Sequence, residues 1–275
     1  MFKNLINEAV LTVQLKACGP LLIRSSEANS LDPALPDMSF VRAFHNGVKT
    51  VYLPGSSIKG VFRSRYEQVM RALGQRVCDT FDSPKNITCN KKLSGGGKVD
   101  GKERYKKCCE ACKLFGCLSL GGRLSFADAY PVGEWKVGVR HGVGIDRITG
   151  ASFHGALFDI ETLESGVFAV ECRMTNFHLY QLRTVIWILE DIHEGLVTFG
   201  MGGSRGNGQM RIENSDDVEL LYRKYSDKAP SLEGEEIDVL FGKQVTKSGL
   251  PEILESLKIN SKEELTNAIK MEAVI

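Results

Sequence analysis

The sequence predicts an α+β fold of the ferredoxin-like kind, with the element order β-α-β-β-α-β. Three observations point there. Apolar and polar residues alternate over Glu8 to Ile23. Two segments, one after Pro54 and one after Thr175, carry apolar residues at helical spacing, and strand-like stretches lie between and after them. With 275 residues, 43% hydrophobic and 25% charged, the chain fits one large domain, or one domain carrying insertions, with a real core.

The first strand rests on Val10, Thr12, Val13, Gln14 and Leu15. Ser25 to Asn46 is a loop with Pro33 and Pro36 that holds Asp32, Asp37, Arg42 and His45. Val51 to Leu53 is a short extended stretch ending at Pro54. Ser56 or Ser57 then caps a helix to about Leu73, with Ile58, Val61, Phe62, Tyr66, Val69, Met70 and Leu73 on its apolar face. Gly74 to Cys117 is an insertion rich in Cys, Lys and Gly, with a flexible tip at Gly95, Gly96 and Gly97. Arg123 to Tyr130 returns as a strand, and Trp135 to Arg140 reads as another. His141 to Phe153 is glycine-spaced and polar between strands, a candidate projecting hairpin. Ala156 to Thr175 gives two strands around Glu164, Ser165 and Gly166. Thr175 or Asn176 caps a second long helix, with Leu179, Leu182, Ile186, Leu189 and Ile192 on one face, ending at Gly195. A glycine loop and a strand over Gln209 to Glu213 follow, and only weak strand and helix signals lie beyond Ser226. The expected organisation is a domain over residues 1–225, with a cysteine insertion at 74–117 and a projecting hairpin at 140–155, and a C-terminal extension over 226–275.

The net charge is only +1, but it is unevenly spread. Ser56 to Lys107 holds 13 Lys/Arg against 5 Asp/Glu, and Glu213 to Ile275 holds 14 acidic against 8 basic residues. A basic middle suits a polyanion, and an acidic tail suits a self-contained or partner-facing end; solvated surface charge accounts for either taken alone. No apolar run approaches the roughly 18 to 20 residues of a membrane span. MFKNLINEAV has Asn and Glu where a signal peptide is apolar, so the cytoplasm is the expected compartment. Eight cysteines there read as metal ligands and buried thiols before disulfides.

Two glycine-rich segments carry the first chemistry. Leu53-Pro54-Gly55-Ser56-Ser57-Ile58-Lys59-Gly60 opens a helix with hydroxyls and cations. Free N–H groups and the helix dipole suit a phosphate there, Lys59 adds a point charge, and Arg63 adds a fork one turn on. The plainer alternative is an ordinary cap with surface cations. No Walker Lys-Ser/Thr ending is present. Gly200-Met201-Gly202-Gly203-Ser204-Arg205-Gly206-Asn207-Gly208 has five glycines in nine residues around Arg205. It reads as an anion-binding nest, or as a turn before an edge strand.

Six of the eight cysteines lie between Cys78 and Cys117. Cys109-x2-Cys112 has zinc spacing, and the insertion holds too few apolar residues for its own core. Cys78, Cys89, Cys109 and Cys112 are the expected ligands of a structural zinc, with Cys108 and Cys117 as substitutes. Four thiolates leave no open position for catalysis. The five histidines (His45, His141, His154, His178, His193) have no motif around them. Asp37, upstream of the PGSS turn, is a candidate for holding a divalent ion beside a phosphate, although by local sequence alone the plainer reading is an ordinary loop acid.

Three segments in order, LPGSSIKGVFRSRYE, GVGIDRITGASFHGALFDIE and GMGGSRGNGQMRI, resemble the RAMP-superfamily backbone subunits of type III CRISPR effector complexes. The resemblance covers roughly residues 8 to 213. It implies a modified RNA-recognition fold whose copies or paralogues stack along a guide RNA, with a β-hairpin thumb that kinks the guide–target duplex. By this resemblance Ser56, Ser57, Lys59 and Arg63 hold the guide backbone, and Gly202, Gly203 and Arg205 line the same groove. Gly142 to Ser152, with Ile145 and Arg147, forms the thumb. The cysteine insertion resembles the zinc-binding insertions of some branches. Asp37-Met38-Ser39-Phe40-Val41-Arg42 matches the surroundings of the aspartate that supports Mg²⁺-assisted cutting of target RNA, with Asp32 as runner-up. The implied partners are guide RNA, target RNA and other effector subunits, with no membrane. Two rivals are a purely structural backbone subunit and a guide-processing endoribonuclease, for which His45 near the PGSS turn is the one candidate. A single insertion without repeats makes a zinc-finger DNA regulator a poor fit.

Overall fold

The structure, a computed structural model, describes residues 4–25, 36–79, 81, 87–93 and 100–272. Asp32 and the tip at Gly95 to Gly97 lie outside them. β1 (Asn7–Ala17) buries every second residue, so one face of it is core. β2 (Arg42–His45) and β3 (Val48–Val51) form a hairpin turned by Asn46 and Gly47, both at positive φ, the preferred two-residue turn.

α1 (Gly55–Ala72) buries Ile58, Phe62, Tyr66 and Met70. Its start differs from expectation: Pro54 is the N-cap, and neither serine caps. Both serines fall inside the first turn, because the Pro54 carbonyl accepts from Ser57 N and Ile58 N at 2.9 and 3.1 Å. Asp128 closes the end, its carboxylate accepting from Gly55 N at 2.8 Å. Gly55 is required by packing, since a Cβ there would stand 2.4 Å from the Phe126 carbonyl oxygen. Gly55→Ala is therefore expected to cost about 1–3 kcal/mol of overpacking, seen as a lower denaturant midpoint at unchanged slope.

The insertion contributes α2 (Cys89–Leu93), α3 (Gly101–Lys107) and α4 (Glu110–Phe115). α4 packs on α1, with Tyr66 and Phe115 edge to face at 5.5 Å. β4 (Leu124–Phe126) follows, then the long pair β5 (Lys136–Ile145) and β6 (Ser152–Ser165), and β7 (Val167–Thr175). α5 (Leu179–His193) is capped by His178, whose N–H donates to the Gln181 side chain at 3.1 Å. Asn176, expected to cap, instead sits at φ 52. Its side chain binds Ile6 N at 2.7 Å and the Asn4 carbonyl at 2.9 Å, tying down the chain ahead of β1.

β8 (Met210–Ile212), β9 (Glu219–Lys224), β10 (Ile237–Val239), β11 (Gly242–Ser248), α6 (Leu250–Leu257) and α7 (Lys262–Glu272) complete the chain. The main sheet is antiparallel throughout. β1 pairs with β7, which pairs with β4, and the other edge of β1 is shared by β8 and β9. β11 and β10 extend the sheet beyond β9, so the segment after residue 225 continues the same layer. α1 and α5 contact each other, and Arg65 binds Asp191 between them at 2.7 Å. α6 and α7 pack on α5, which explains why α5 buries Arg183 and Thr184 as well as its apolar stripe. Among the described residues no helix is long and apolar enough to cross a membrane.

Candidate functional site

The two glycine segments, far apart in sequence, meet in space. Ser57, Gly60 and Ser64 of α1 face Thr198 and Gly200 across a groove of about 500 Å³. The loop reaches this position because its glycines allow it. Gly200, at φ +68, would place a Cβ 2.1 Å from the Leu22 carbonyl oxygen, and Gly208, at φ +82, would place one 2.0 Å from that of Phe199. Met201 N donates to Leu22 O at 2.9 Å and Gly208 N to Pro20 O at 2.7 Å, docking the loop on residues 20–22. Gly202 and Gly203 begin a single 3-10 turn that leaves Arg205 exposed.

Lys59 makes no ion pair with the described residues. Burial, then the Arg63 charge, holds its ammonium below the ordinary lysine value, a site an anion would relieve. Arg63 faces the cysteine insertion: it binds Glu67 at 2.9 Å, the Gly116 carbonyl at 3.2 Å and Cys112 Sγ at 3.7 Å. It therefore links the groove helix to the insertion.

Residues 20–25 also carry the Asp37 loop on their other side. Ser25 N donates to Ser39 O at 3.0 Å, Val41 N to Ile23 O at 2.9 Å, and Leu21 exchanges backbone bonds with Leu163 of β6. Met38 bridges Ile160 in parallel, so Asp37 lies beside the middle of β6, where the projecting half of the β5–β6 hairpin has its root. Its Oδ2 accepts from Asp159 N at 2.8 Å. Arg42 clamps the loop to β6 through a two-pronged pair with Glu161, at 2.7 and 2.6 Å, and Glu161 also accepts from Phe40 N at 2.9 Å. The Arg42 hydrogen bonds hold the Glu161 carboxyl below its usual value.

The hairpin is a two-stranded sheet of its own, apart from the main sheet. Phe158 lies over Gly142, where a Cβ would stand 2.3 Å from its ring. The tip is fixed by Asp146, which accepts from Ile148 N and the Thr149 hydroxyl, both at 2.9 Å. Val139, Val143, Ile145, Ile148, Phe153 and Leu157 are all exposed, Ile148 at 94%, and Arg147 is exposed beside them. A two-stranded ribbon with this much bare apolar surface is marginal by itself and suited to being covered.

In the insertion, Cys78, Cys89, Cys109 and Cys112 are buried, with their sulfurs within 4.8 Å of one another. Cys78 Sγ lies 3.6 Å from both Cys109 Sγ and Cys112 Sγ. Four thiolates on zinc at bond lengths of about 2.3 Å stand about 3.8 Å apart, so the spacing fits a tetrahedral ion. The donors around them fit thiolates too: Cys109 N points at Cys89 Sγ at 3.2 Å, and Arg76 at the same sulfur at 3.8 Å. Hydrogen bonds, that of Cys108 first, pull the Cys89 thiol down. Cys108 touches this set from outside it. Cys18 is exposed and Cys172 is buried in β7, where burial pushes its thiol up.

This cysteine set is the one group of three or more clustered ligands among the described residues. Asp37 belongs to no such group. His45 stacks on Tyr130 at 3.8 Å, and Tyr52 on Tyr130 at 5.7 Å. Sequence reasoning missed this stack, as well as Asp128, Glu161 and the pair formed by His141 and Asp159 at 2.6 Å. Each is a contact between distant segments with no local motif.

A family model of the RAMP superfamily matches residues 14–211, from β1 through β8. The chain belongs to the RAMP superfamily. A comparison with curated proteins found no match. Membership in the RAMP superfamily points to CRISPR-associated RNA binding, and the match takes in both glycine segments, the cysteine insertion and the hairpin.

Proposed function

We propose that this RAMP protein is a backbone subunit of a type III CRISPR effector complex that holds guide RNA in the α1–glycine loop groove and cleaves the paired target RNA at the hairpin root. The observation that carries the reading is the segment 20–25. It is hydrogen-bonded to the glycine loop on one side and to the Asp37 loop and β6 on the other. One rigid strip thus joins a phosphate-binding groove, a carboxylate and a projecting apolar ribbon. The order β8-β1-β7-β4, with α1 and α5 packed together, supports reading the core as a ferredoxin-like RNA-recognition fold.

Ser56, Ser57, Lys59, Gly202, Gly203 and Arg205 bind guide phosphates, with Arg63 acting from the insertion side. Ile145, Ile148 and Arg147 meet unstacked bases at the kink. There the 2′-hydroxyl is brought in line with its own phosphate, and alignment supplies much of the rate. Asp37 takes the hydroxyl proton. Asp37 would be the residue to hold Mg²⁺ or a similar ion, which, if bound there together with RNA phosphate oxygens, would supply neutralisation of phosphate charge. Zinc in the Cys78, Cys89, Cys109, Cys112 set is structural, and further effector subunits, copies or paralogues, stack alongside.

Two measurements test the reading. A labelled RNA complementary to the bound guide, offered to the assembled complex with and without Mg²⁺, is expected to be cut; tight target binding without cutting would leave only a structural role. For the groove, Lys59→Ala with Arg205→Ala should weaken guide binding by roughly tenfold or more at every sequence. The same pair should reduce the slope of log affinity against log salt by about 1 to 1.5. An unchanged slope would remove both contacts.

A further inference from the structure

His141 and Asp159 lie directly opposite each other on the hairpin, near its root. The imidazole Nδ1 is 2.6 Å from Asp159 Oδ1, while the backbone N–H of Asp159 donates to Asp37 Oδ2 at 2.8 Å. One residue of β6 thus orients both an imidazole and the carboxylate of the proposed cleavage site. The imidazole is 79% exposed and the Asp159 side chain 47%. An ion pair that open adds little stability, so packing gives small reason for it. A carboxylate has no proton to give near neutral pH, so Nδ1 is the donor in this bond. That fixes the ring orientation and turns Nε2 outward, with no partner among the described residues, where it can carry the second proton of the imidazolium form.

Resting on the cleavage reading above, we propose that His141 is the general acid of target-RNA cutting and that Asp159 positions it. The 2′-oxygen forms a bond to phosphorus and its proton passes to Asp37. The phosphorus–O5′ bond breaks with its electron pair going to O5′, which takes the Nε2 proton of His141. The products are a 2′,3′-cyclic phosphate and a 5′-hydroxyl end. The histidine ends neutral and Asp37 protonated, and exchange with water restores both.

The test uses the assembled complex with wild-type chain, His141→Ala and Asp37→Asn, each shown to bind target. One target carries ordinary RNA at the cut site, the other a 5′-bridging sulfur, a leaving group that needs no proton. His141→Ala is expected to slow the ordinary target by roughly 10²-fold or more and to cut the sulfur target within a few-fold of wild type. Equal loss on both targets would mean that the substitution spoils hairpin geometry, and would overturn the acid role. Ordinary cutting by His141→Ala, with Asp37→Asn inactive, would overturn this inference and leave the cleavage reading standing. A wild-type complex that binds target but does not cut would overturn both.

Discussion

Asp37→Asn is expected to slow target cutting by at least roughly 10²-fold while guide and target binding stay as in the wild type. The substitution isolates charge from shape. Asparagine is nearly isosteric, and its side-chain oxygen can still accept from the Asp159 N–H now 2.8 Å from Asp37 Oδ2. The loop has other anchors in any case: the Arg42–Glu161 pair, the Met38–Ile160 bridge and the Ser39 and Val41 backbone bonds. What the amide loses is the ability to accept the 2′-hydroxyl proton or to face a cation. The effect should therefore appear in single-turnover cutting and leave binding alone. Undiminished cutting by the variant would remove Asp37 from the chemistry and direct attention to Asp32.

The parts of the molecule governed by local rules were legible before any coordinates. Apolar spacing placed α1 and α5 to within a few residues, and the turn at Glu164 to Gly166 separated β6 from β7, whereas alternation found β1 but ran it on to Ile23 although the strand ends at Ala17. The α1 start was misjudged because Ser56 and Ser57 look like caps while the true partner of the helix end, Asp128, lies 73 residues away. The α5 start was misjudged because Asn176 serves the chain ahead of β1. The clustering of the four cysteines was legible because chelating pairs come at short spacing and because the insertion holds too few apolar residues for a core of its own.

The pair at the hairpin root was not legible, for a geometric reason. Ile145 faces Ser152, but Val143 faces Leu157, so an irregularity puts four residues of β6 against one of β5. Counting back from the turn without it gives His141 the wrong neighbour. The acidic C-terminal region was also opaque. Its short strands have weak patterns and become strands by adding to β9, a tertiary effect that propensity does not carry.

Cys109→Ser with Cys112→Ser is expected to abolish about one equivalent of bound zinc and to loosen the insertion. Serine hydroxyls stay protonated and bind zinc poorly, so two thiolates remain where four are needed for a closed site. Structural zinc sites return about 10–16 kcal/mol of apparent binding energy in small fingers, and here the coupled unit is small as well. The insertion's own apolar contribution is largely Ala111, Leu114 and Phe115 of α4, buried against α1. Loss of the ion should thus free α2 and α3 first and then expose Phe115 from its contact with Tyr66. The consequence should reach the groove, because Arg63 is held by the Gly116 carbonyl and Cys112 Sγ on one side and by Glu67 on the other. Guide affinity should fall with the metal even though no cysteine touches RNA. Metal analysis, denaturation with and without chelator, and guide binding on the same preparation check each step. Full-strength folding of the wild-type chain with no bound metal would remove the zinc, and wild-type guide affinity in a metal-free variant would remove the link through Arg63.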